Sequence, residues 1–311
     1  MPFNPQHLKL LNNALVKREA LKKITNAMRL VNGQGDGLEG LLIDRYGTHI
    51  NVQILNDKWS ESIGQIQGVL NEHFSLQYLI VKYRREMDIK TQVLLKGDSK
   101  TMVEEYGLKF EVDLNDGLNA GLFLDMRANR QRLGQLCKGK RVLNCFSYTC
   151  SFGVHARANG ALKVVNVDIS RKILDKARRN YDINQIPTEQ YEFVKNDSME
   201  FLTRAVKKDN RFDCIVLDPP SFARHDGKVF QVKRDLPKLI GLATVVLNPS
   251  GILFVSSNCS ELTYEDLERM LRGNLNSRQV KEIKRVGQDV DFIGSNSFKE
   301  SYLVGLQVSL I

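Results

Sequence analysis

Val164–Tyr181 reads VVNVDISRKILDKARRNY. A β-type run ends in a carboxylate, Asp168, and a helical pattern follows from Arg171 to Tyr181. Ser170 is placed to cap that helix, since its hydroxyl can accept an amide hydrogen of the first turn. Asp168 is thereby left free for another task. The same step from strand to helix recurs on both sides. Arg141–Asn144 leads to a helix near Val154–Asn159, and Tyr191–Val194 to a helix near Met199–Val206. Phe212–Leu217 is a strand of the buried type, and a helix around Leu236–Leu247 reaches the run Gly251–Ser256. Such alternation predicts an α/β fold, an open and mostly parallel sheet covered on both faces. Val280–Val286 and Tyr302–Leu310 break the pattern. Two strands with no helix between them predict an antiparallel ending at the sheet edge.

Upstream the texture differs. Residues 7–30 hold apolar positions at helical spacing and read as one or two amphipathic helices. Short β runs at Ile50–Leu55, Tyr78–Tyr83, Gln92–Leu95 and Leu108–Val112 surround a helix-like stretch at Trp59–Phe74. This is the pattern of a small α+β domain. Asn115-Asp116-Gly117 is turn-forming and sets the expected boundary, with residues 1–115 before it and 116–311 forming the α/β domain.

The chain has 311 residues, 42% of them hydrophobic, enough for real cores in two domains. It shows no long apolar run and no charged-then-apolar leader, so neither a membrane span nor secretion is expected. Five cysteines without a C-x-x-C pair argue against a disulfide framework or a metal site and for a reducing cytoplasm. A net charge of +9 favours a polyanionic partner such as RNA.

One stretch invites a different reading. Gly35–Gly40 is GDGLEG, which spells G-x-G-x-x-G. That fingerprint works only where a helix begins behind the glycines and points its N-terminus at a pyrophosphate. Here a hairpin pattern follows, turning at Arg45–Thr48, and Asp36 and Glu39 put negative charge in the loop. A glycine-rich turn is expected, and any nucleotide-like ligand is expected elsewhere.

Ligands of open α/β sheets sit at the carboxyl ends of the strands. Asp168 lies there, 24 residues beyond Asn144, where an acid can accept hydrogen bonds from ribose hydroxyls. Asn196 and Asp197 end the next strand; Asp197 followed by Glu200 also has the spacing of a helix cap, so a cap and an adenine contact both stay open. The loop Asn144–Gly153 carries Phe146, Ser147, Tyr148 and Thr149, without clustered glycines or a phosphate-binding lysine. It suits an adenosine-bearing ligand lacking a pyrophosphate, and S-adenosylmethionine is the candidate.

Together, Asn144–Gly153, Asp168, Asp218-Pro219-Pro220-Ser221-Phe222 and Ser257-Asn258-Cys259-Ser260 resemble class I S-adenosylmethionine-dependent methyltransferases, and more closely the bacterial 23S rRNA cytosine-5 methyltransferases. RLVNGQGDGLEGLLIDRYG (29–47) resembles the signature of that family's central domain, and GLNAGLFLDMRANR (117–130) the opening of its catalytic domain. The resemblance implies a Rossmann-like methyltransferase sheet, mostly parallel with an antiparallel C-terminal strand, behind a small α+β domain. The family usually begins with an RNA-binding PUA domain, for which this chain has no room, and Cys150 stands where a small residue is usual. The implied substrate is RNA, either 23S rRNA or a ribosomal particle; a homodimer stays open.

The resemblance also implies covalent catalysis, in which a thiolate adds to C6 of cytosine so that C5 can take the methyl group. Cys259 follows the strand ending at Ser256 and is the expected nucleophile; Cys214 lies inside a strand, Cys137 ends a helix-like stretch, and Cys145 and Cys150 have no partner motif. Asp218 is expected beside both cofactor and base, stabilising the adduct. Pro219 and Phe222 would hold the base, and Arg224, Lys228, Lys233 and Arg234 of the following loop, with His225, would hold phosphates. Lys82, Arg84 and Arg85 form a second candidate basic patch. Methylation of a base nitrogen and a non-catalytic RNA-binding role are the alternatives. A nicotinamide-dependent oxidoreductase fits poorly, because the glycine fingerprint is missing.

Overall fold

The computed structural model describes residues 3–85, 88–117, 119–189, 191–225, 228–275, 279–294 and 302–311, with the backbone alone for Arg85, Asp88, His225 and Lys228. The chain divides into two compact units, one of residues 1–127 with 289–301, the other of residues 128–288 with 302–311. The break after Arg127 lies beyond the turn at 115–117, and a segment distant in sequence joins the first unit.

In the first unit, α1 (Pro5–Lys17) starts under an Asn4 cap whose side chain accepts from His7 N at 2.9 Å. It buries Leu11, Ala14 and Leu15, one face at helical spacing. Of the one or two helices expected over residues 7–30, one forms. After α1 comes a short 3-10 turn, Glu19–Lys23, and then β1 (Ala27–Asn32), buried at all six positions. The physical cause is Arg18, which turns inward and ties this crossover to Asp36 instead of extending the helix.

β1 joins β2 (Leu41–Tyr46), β3 (His49–Ile54), β4 (Tyr78–Arg85) and β5 (Asp88–Leu95) in one sheet in that order. Only the β3–β4 pair is parallel, and α2 (Ile63–His73) makes its crossover. Ile50, Val52 and Ile54 point to the face covered by α1 and α2. His49, Asn51 and Gln53, one residue out of phase, are buried on the other face with Arg29 and Asp44. β6 (Lys100–Glu105), unanticipated by the sequence pattern, forms a hairpin with β7 (Leu108–Asp113).

The GDGLEG stretch is a 3-10 turn followed by β2, as its context predicts. The Asp36 carboxylate takes both guanidinium nitrogens of Arg18 at 2.7 Å, and both side chains are about 1% exposed. Here the carboxylate serves the core.

The second unit begins at Ala128, within α3 (Arg127–Leu136), and holds seven strands in the order β10-β9-β8-β11-β14-β16-β15. These are β8 (Arg141–Cys145), β9 (Lys163–Asp168), β10 (Phe193–Lys195), β11 (Phe212–Leu217), β14 (Leu247–Ser257), β15 (Val280–Val286) and β16 (Val304–Leu310). All run parallel except β16, which lies antiparallel between β14 and β15. The helices α4 (Ser151–Ala158), α5 (Arg171–Ile183), α6 (Ser198–Lys207), α7 (Val232–Val246) and α8 (Tyr264–Arg272) fill the connections. Ser170 caps α5 as expected, accepting from Ile173 N at 3.3 Å. Gly153 on α4 has no substitute, because a Cβ would lie 2.4 Å from Asn166 Oδ1 and 2.6 Å from Tyr181 Oη. The connection after Asp218 is a hairpin, β12 (Phe222–His225) with β13 (Lys228–Gln231), where the sequence suggests only a basic loop.

Candidate functional site

The strand order reverses between β8 and β11, and the crevice at their carboxyl ends is where such sheets bind ligands. Register aligns Leu217 with Cys145 on one side and with Val255 on the other. Asp168, the loop after Cys145, Asp218 and the segment Ser257–Cys259 therefore follow neighbouring strands along one edge of the sheet.

The loop after β8 is wound tightly. Phe146, Tyr148 and Cys150 all hold positive φ, at 55°, 48° and 60°. Bulky residues rarely adopt that region; each costs roughly 1–3 kcal/mol and persists only where its surroundings enforce it. The surroundings do so here. Phe146 N donates to Ser198 Oγ at 3.2 Å, Ser147 N to Val167 O at 3.0 Å, Tyr148 N to Asp168 Oδ2 at 3.0 Å, and Cys150 N to Ser147 O at 2.8 Å. Those amides are consumed inside the protein, so the loop offers them to no pyrophosphate.

Asp168 organises the edge. Its other oxygen accepts from Ser170 N at 2.9 Å. Burial holds this carboxyl above the usual carboxylate range, against the lowering effect of the amides of Ser170, Tyr148 and Ile169. Each oxygen keeps further lone-pair capacity, which a diol could use. The Ser147 hydroxyl is buried and, the weakly polar Cys150 thiol apart, has no hydrogen-bond partner among the described residues. A group bearing a diol fits these partners; a diphosphate does not.

Other expected cofactor residues have employment already. Asn144 is buried and its amide donates to Asn166 Oδ1 at 2.9 Å. Thr149 is 1% exposed. Asp197 caps α6, accepting from Glu200 N at 3.0 Å, while Asn196 N donates to Asp168 O. Phe146 and Tyr148 are half-buried.

On the other side of the crevice Ser256 Oγ donates to Asp218 Oδ1 at 2.6 Å, joining β11 to β14. Ser221 Oγ donates to Asn258 Oδ1 at 2.7 Å, and Cys259 N to Ser257 Oγ at 3.2 Å. The tight turn after β14 thus sits on the Asp218-Pro-Pro-Ser segment. Cys259 is half-buried, whereas Cys137, Cys145, Cys150 and Cys214 are buried. Burial pushes the Cys145 thiol up to about 12 and raises Cys150 as well.

Pro219 is buried and Pro220 exposed. Phe222 is 50% exposed, with the Arg224 guanidinium 5.4 Å from its ring centroid. The hairpin that carries them is pinned where Phe230 meets Phe146, ring centroids 5.7 Å apart. Lys233 bonds Glu261 at 2.6 Å, and Arg234 chelates its neighbour Asp235 at 2.8 Å. The side chains of His225 and Lys228 lie outside the described residues. Ser198 and Ser256, to which the sequence assigns no role, hold the two sides of the crevice; hydroxyls at or just beyond strand ends are their only sequence signal.

The model of the S-adenosylmethionine-dependent methyltransferase family matches residues 71–288. The ribosomal RNA large subunit methyltransferase I of Photobacterium profundum is 33% identical over 303 residues, covering 94% of this chain and 75% of that protein. Its namesake from Aeromonas salmonicida is 34% identical over 306 residues, 94% and 76% of the respective chains. Among solved structures, SMU.776, a methyltransferase complexed with SAH, matches with a TM-score of 0.88 and 26% identity, over 97% of this chain and 80% of that one. Among the described residues no helix is long and apolar enough to cross a membrane, and no cluster of His, Cys, Asp or Glu could hold a metal ion.

Proposed function

Because this chain belongs to the S-adenosylmethionine-dependent methyltransferase family, we propose that it methylates C5 of a cytosine in large-subunit ribosomal RNA, with Cys259 as nucleophile. The observation that carries the reading is the placement of Cys259. It is the one cysteine of five that is not buried, and it follows β14 in the turn bonded to the Asp218 segment.

When bound, S-adenosylmethionine supplies a methyl group on a positively charged sulfur. Asp168 and the Ser147 hydroxyl are the groups that would hold the adenosine part, and Phe146 and Tyr148 would flank it. The Cys259 thiolate adds to C6 of the cytosine, and the C5–C6 π pair moves so that C5 becomes nucleophilic. Asp218, in its acid form, faces the N3 and N4 edge of the base and donates its proton to N3, where negative charge gathers as the thiolate adds, its orientation fixed by Ser256. After C5 is methylated, a base removes the C5 proton, and the C–H pair reforms the double bond as the thiolate leaves.

RNA carrying 5-fluorocytosine tests this, because fluorine cannot leave as a proton. The wild type should form a denaturation-resistant protein–RNA adduct and Cys259→Ala none. Methyl transfer retained by Cys259→Ala would overturn the reading in favour of a base nitrogen.

A further inference from the structure

The positive charge of the chain is unevenly divided. The second unit holds 28 of the 45 lysines and arginines and 17 of the 36 aspartates and glutamates, a net +11, which leaves −2 on the first unit. The basic patch expected in the first unit is also spent. Lys82 is buried and its amine donates to Gly117 O, and Arg84 donates to Gln53 Oε1 at 3.1 Å. The side chain of Arg85 lies outside the described residues. Electrostatics thus favours the second unit as the holder of a polyanion.

Within that unit, cations gather at the amino ends of β8, β9 and β11, the edge opposite the crevice. Lys138, Lys140 and Arg141 lead into β8, Lys163 opens β9, and Lys207 and Lys208 close α6 just before β11. The three strands are neighbours, spaced about 4.8 Å apart, so these groups share one rim. Register sets Arg141 directly opposite Lys163. The two leading segments are bonded to each other, Gly139 N to Gly160 O at 2.8 Å and Leu162 N to Lys140 O at 2.9 Å. None of the six side chains forms an ion pair among the described residues, and Lys138, Arg141, Lys207 and Lys208 are exposed. Asp209 is taken by Arg211 at 2.7 Å. Asp213 accepts from Arg141 N at 2.8 Å and from Asn248 Nδ2 at 2.7 Å, one carboxylate against the two charges of Lys140 and Arg141.

Like charges on facing strand positions destabilise a sheet. A helix C-terminus attracts cations, but only within about its last turn. That accounts for Lys207 and its neighbour Lys208 at the end of α6. The last turn of α3 holds no basic residue, and that of α4 holds His155 and Arg157. The four cations on the strand starts therefore stand against the electrostatics of folding. β8 is five residues long, which puts this rim roughly 16 Å from the crevice. That exceeds the Debye length of about 8 Å at physiological salt, so the rim acts on a polyanion away from the reacting base. Cations fixed on a rigid rim hold phosphates without reading sequence. We propose that the amino edge of this sheet holds the phosphate backbone of a second segment of the RNA substrate. The proposal rests on RNA being the substrate.

The test is filter binding of a large-subunit rRNA transcript to the full chain at several salt concentrations. The triple variant Lys138→Gln, Lys140→Gln, Lys163→Gln should lower the salt slope by about two and weaken binding about tenfold, because each lost phosphate contact releases about one counterion fewer. The control is Lys281→Gln, Lys284→Gln, at two exposed positions of β15, and its slope should stay within about half a unit of wild type. Affinity for S-adenosylhomocysteine should be unchanged in both. A triple variant with the wild-type slope would overturn the proposal and leave the rim a solvated face. Equal losses per lysine in the triple variant and the control would overturn it as well, since net charge and not this edge would then hold RNA. Binding to phosphatidylserine vesicles that the triple variant loses, with rRNA affinity unchanged, would make the partner a lipid surface instead. A wild type that binds no rRNA removes RNA as the substrate, and the proposal with it. One that binds rRNA in the expected way but methylates no cytosine removes only the cytosine-5 reading.

Discussion

Ser256 donates to Asp218 across two adjacent parallel strands at 2.6 Å, from a position with no solvent exposure. The bond fixes the carboxylate at the crevice without help from the ligand. Ser256→Ala removes it, and hydrogen bonds to charged groups are worth about 1.5–3 kcal/mol. Methyl transfer should fall by about tenfold or more, while calorimetry should find S-adenosylhomocysteine affinity near wild type. Full activity would show that Asp218 needs no such anchor.

The basic hairpin makes a sharper prediction than its charge count. Lys233 and Arg234 are already paired with Glu261 and Asp235, whereas Arg224 lies over the exposed Phe222 ring. Arg224→Ala should lower the salt dependence of RNA binding by about one counterion. Lys233→Ala and Arg234→Ala should change it less. Filter binding at several salt concentrations checks this, and equal slopes for all three variants would contradict it.

Thiol reactivity should be lopsided. Burial holds the Cys145 thiol up at about 12 and raises Cys150, while Cys214 is raised by its contact with Cys137 and by burial. Iodoacetamide at neutral pH should alkylate native Cys259 first, to one equivalent by mass spectrometry. Native Cys259→Ala protein should resist labelling until it is unfolded. Early modification of Cys145 or Cys150 would mean that the cofactor loop opens.

Cofactor affinity should depend on pH through Asp168. The ionised carboxylate is the form that accepts ribose hydroxyls, and burial raises its pKa. As pH falls, protonation therefore sets in earlier than for an ordinary aspartate, and binding should weaken. Calorimetry with S-adenosylhomocysteine from about pH 7 to about pH 5 reads the effect. Asp168→Asn should bind weakly throughout, with a flatter profile. The same shift makes a linkage statement. A raised folded pKa favours the folded state below the unfolded pKa, an advantage lost as pH rises through the folded pKa. The ionised Asp168 thus serves binding at some cost to stability.

The Arg18–Asp36 pair should dominate the stability of the first unit. Both side chains are about 1% exposed, so removing one leaves the other charged and buried. Asp36→Ala should cost about 3–5 kcal/mol in denaturant unfolding. A loss below about 1 kcal/mol would mean that water or another carboxylate reaches Arg18.

The sequence alone determined the α/β sheet, its helices, the capping of α5 by Ser170, the antiparallel ending, and the strand-end positions of Asp168, Asp218 and Cys259. These are local properties. Hydrophobic period, caps and turns act within a few residues, and a strand end is a place in a pattern. Only the tertiary structure decided how polar groups are spent. Asn144 is bound to Asn166, 22 residues away, and Lys233 to Glu261, 28 residues away. Arg18 meets Asp36 in place of a continued helix, and the segment after Asp218 folds back as a hairpin. A charged or amide side chain takes whichever partner folding brings nearest, and its own stretch of sequence does not name that partner.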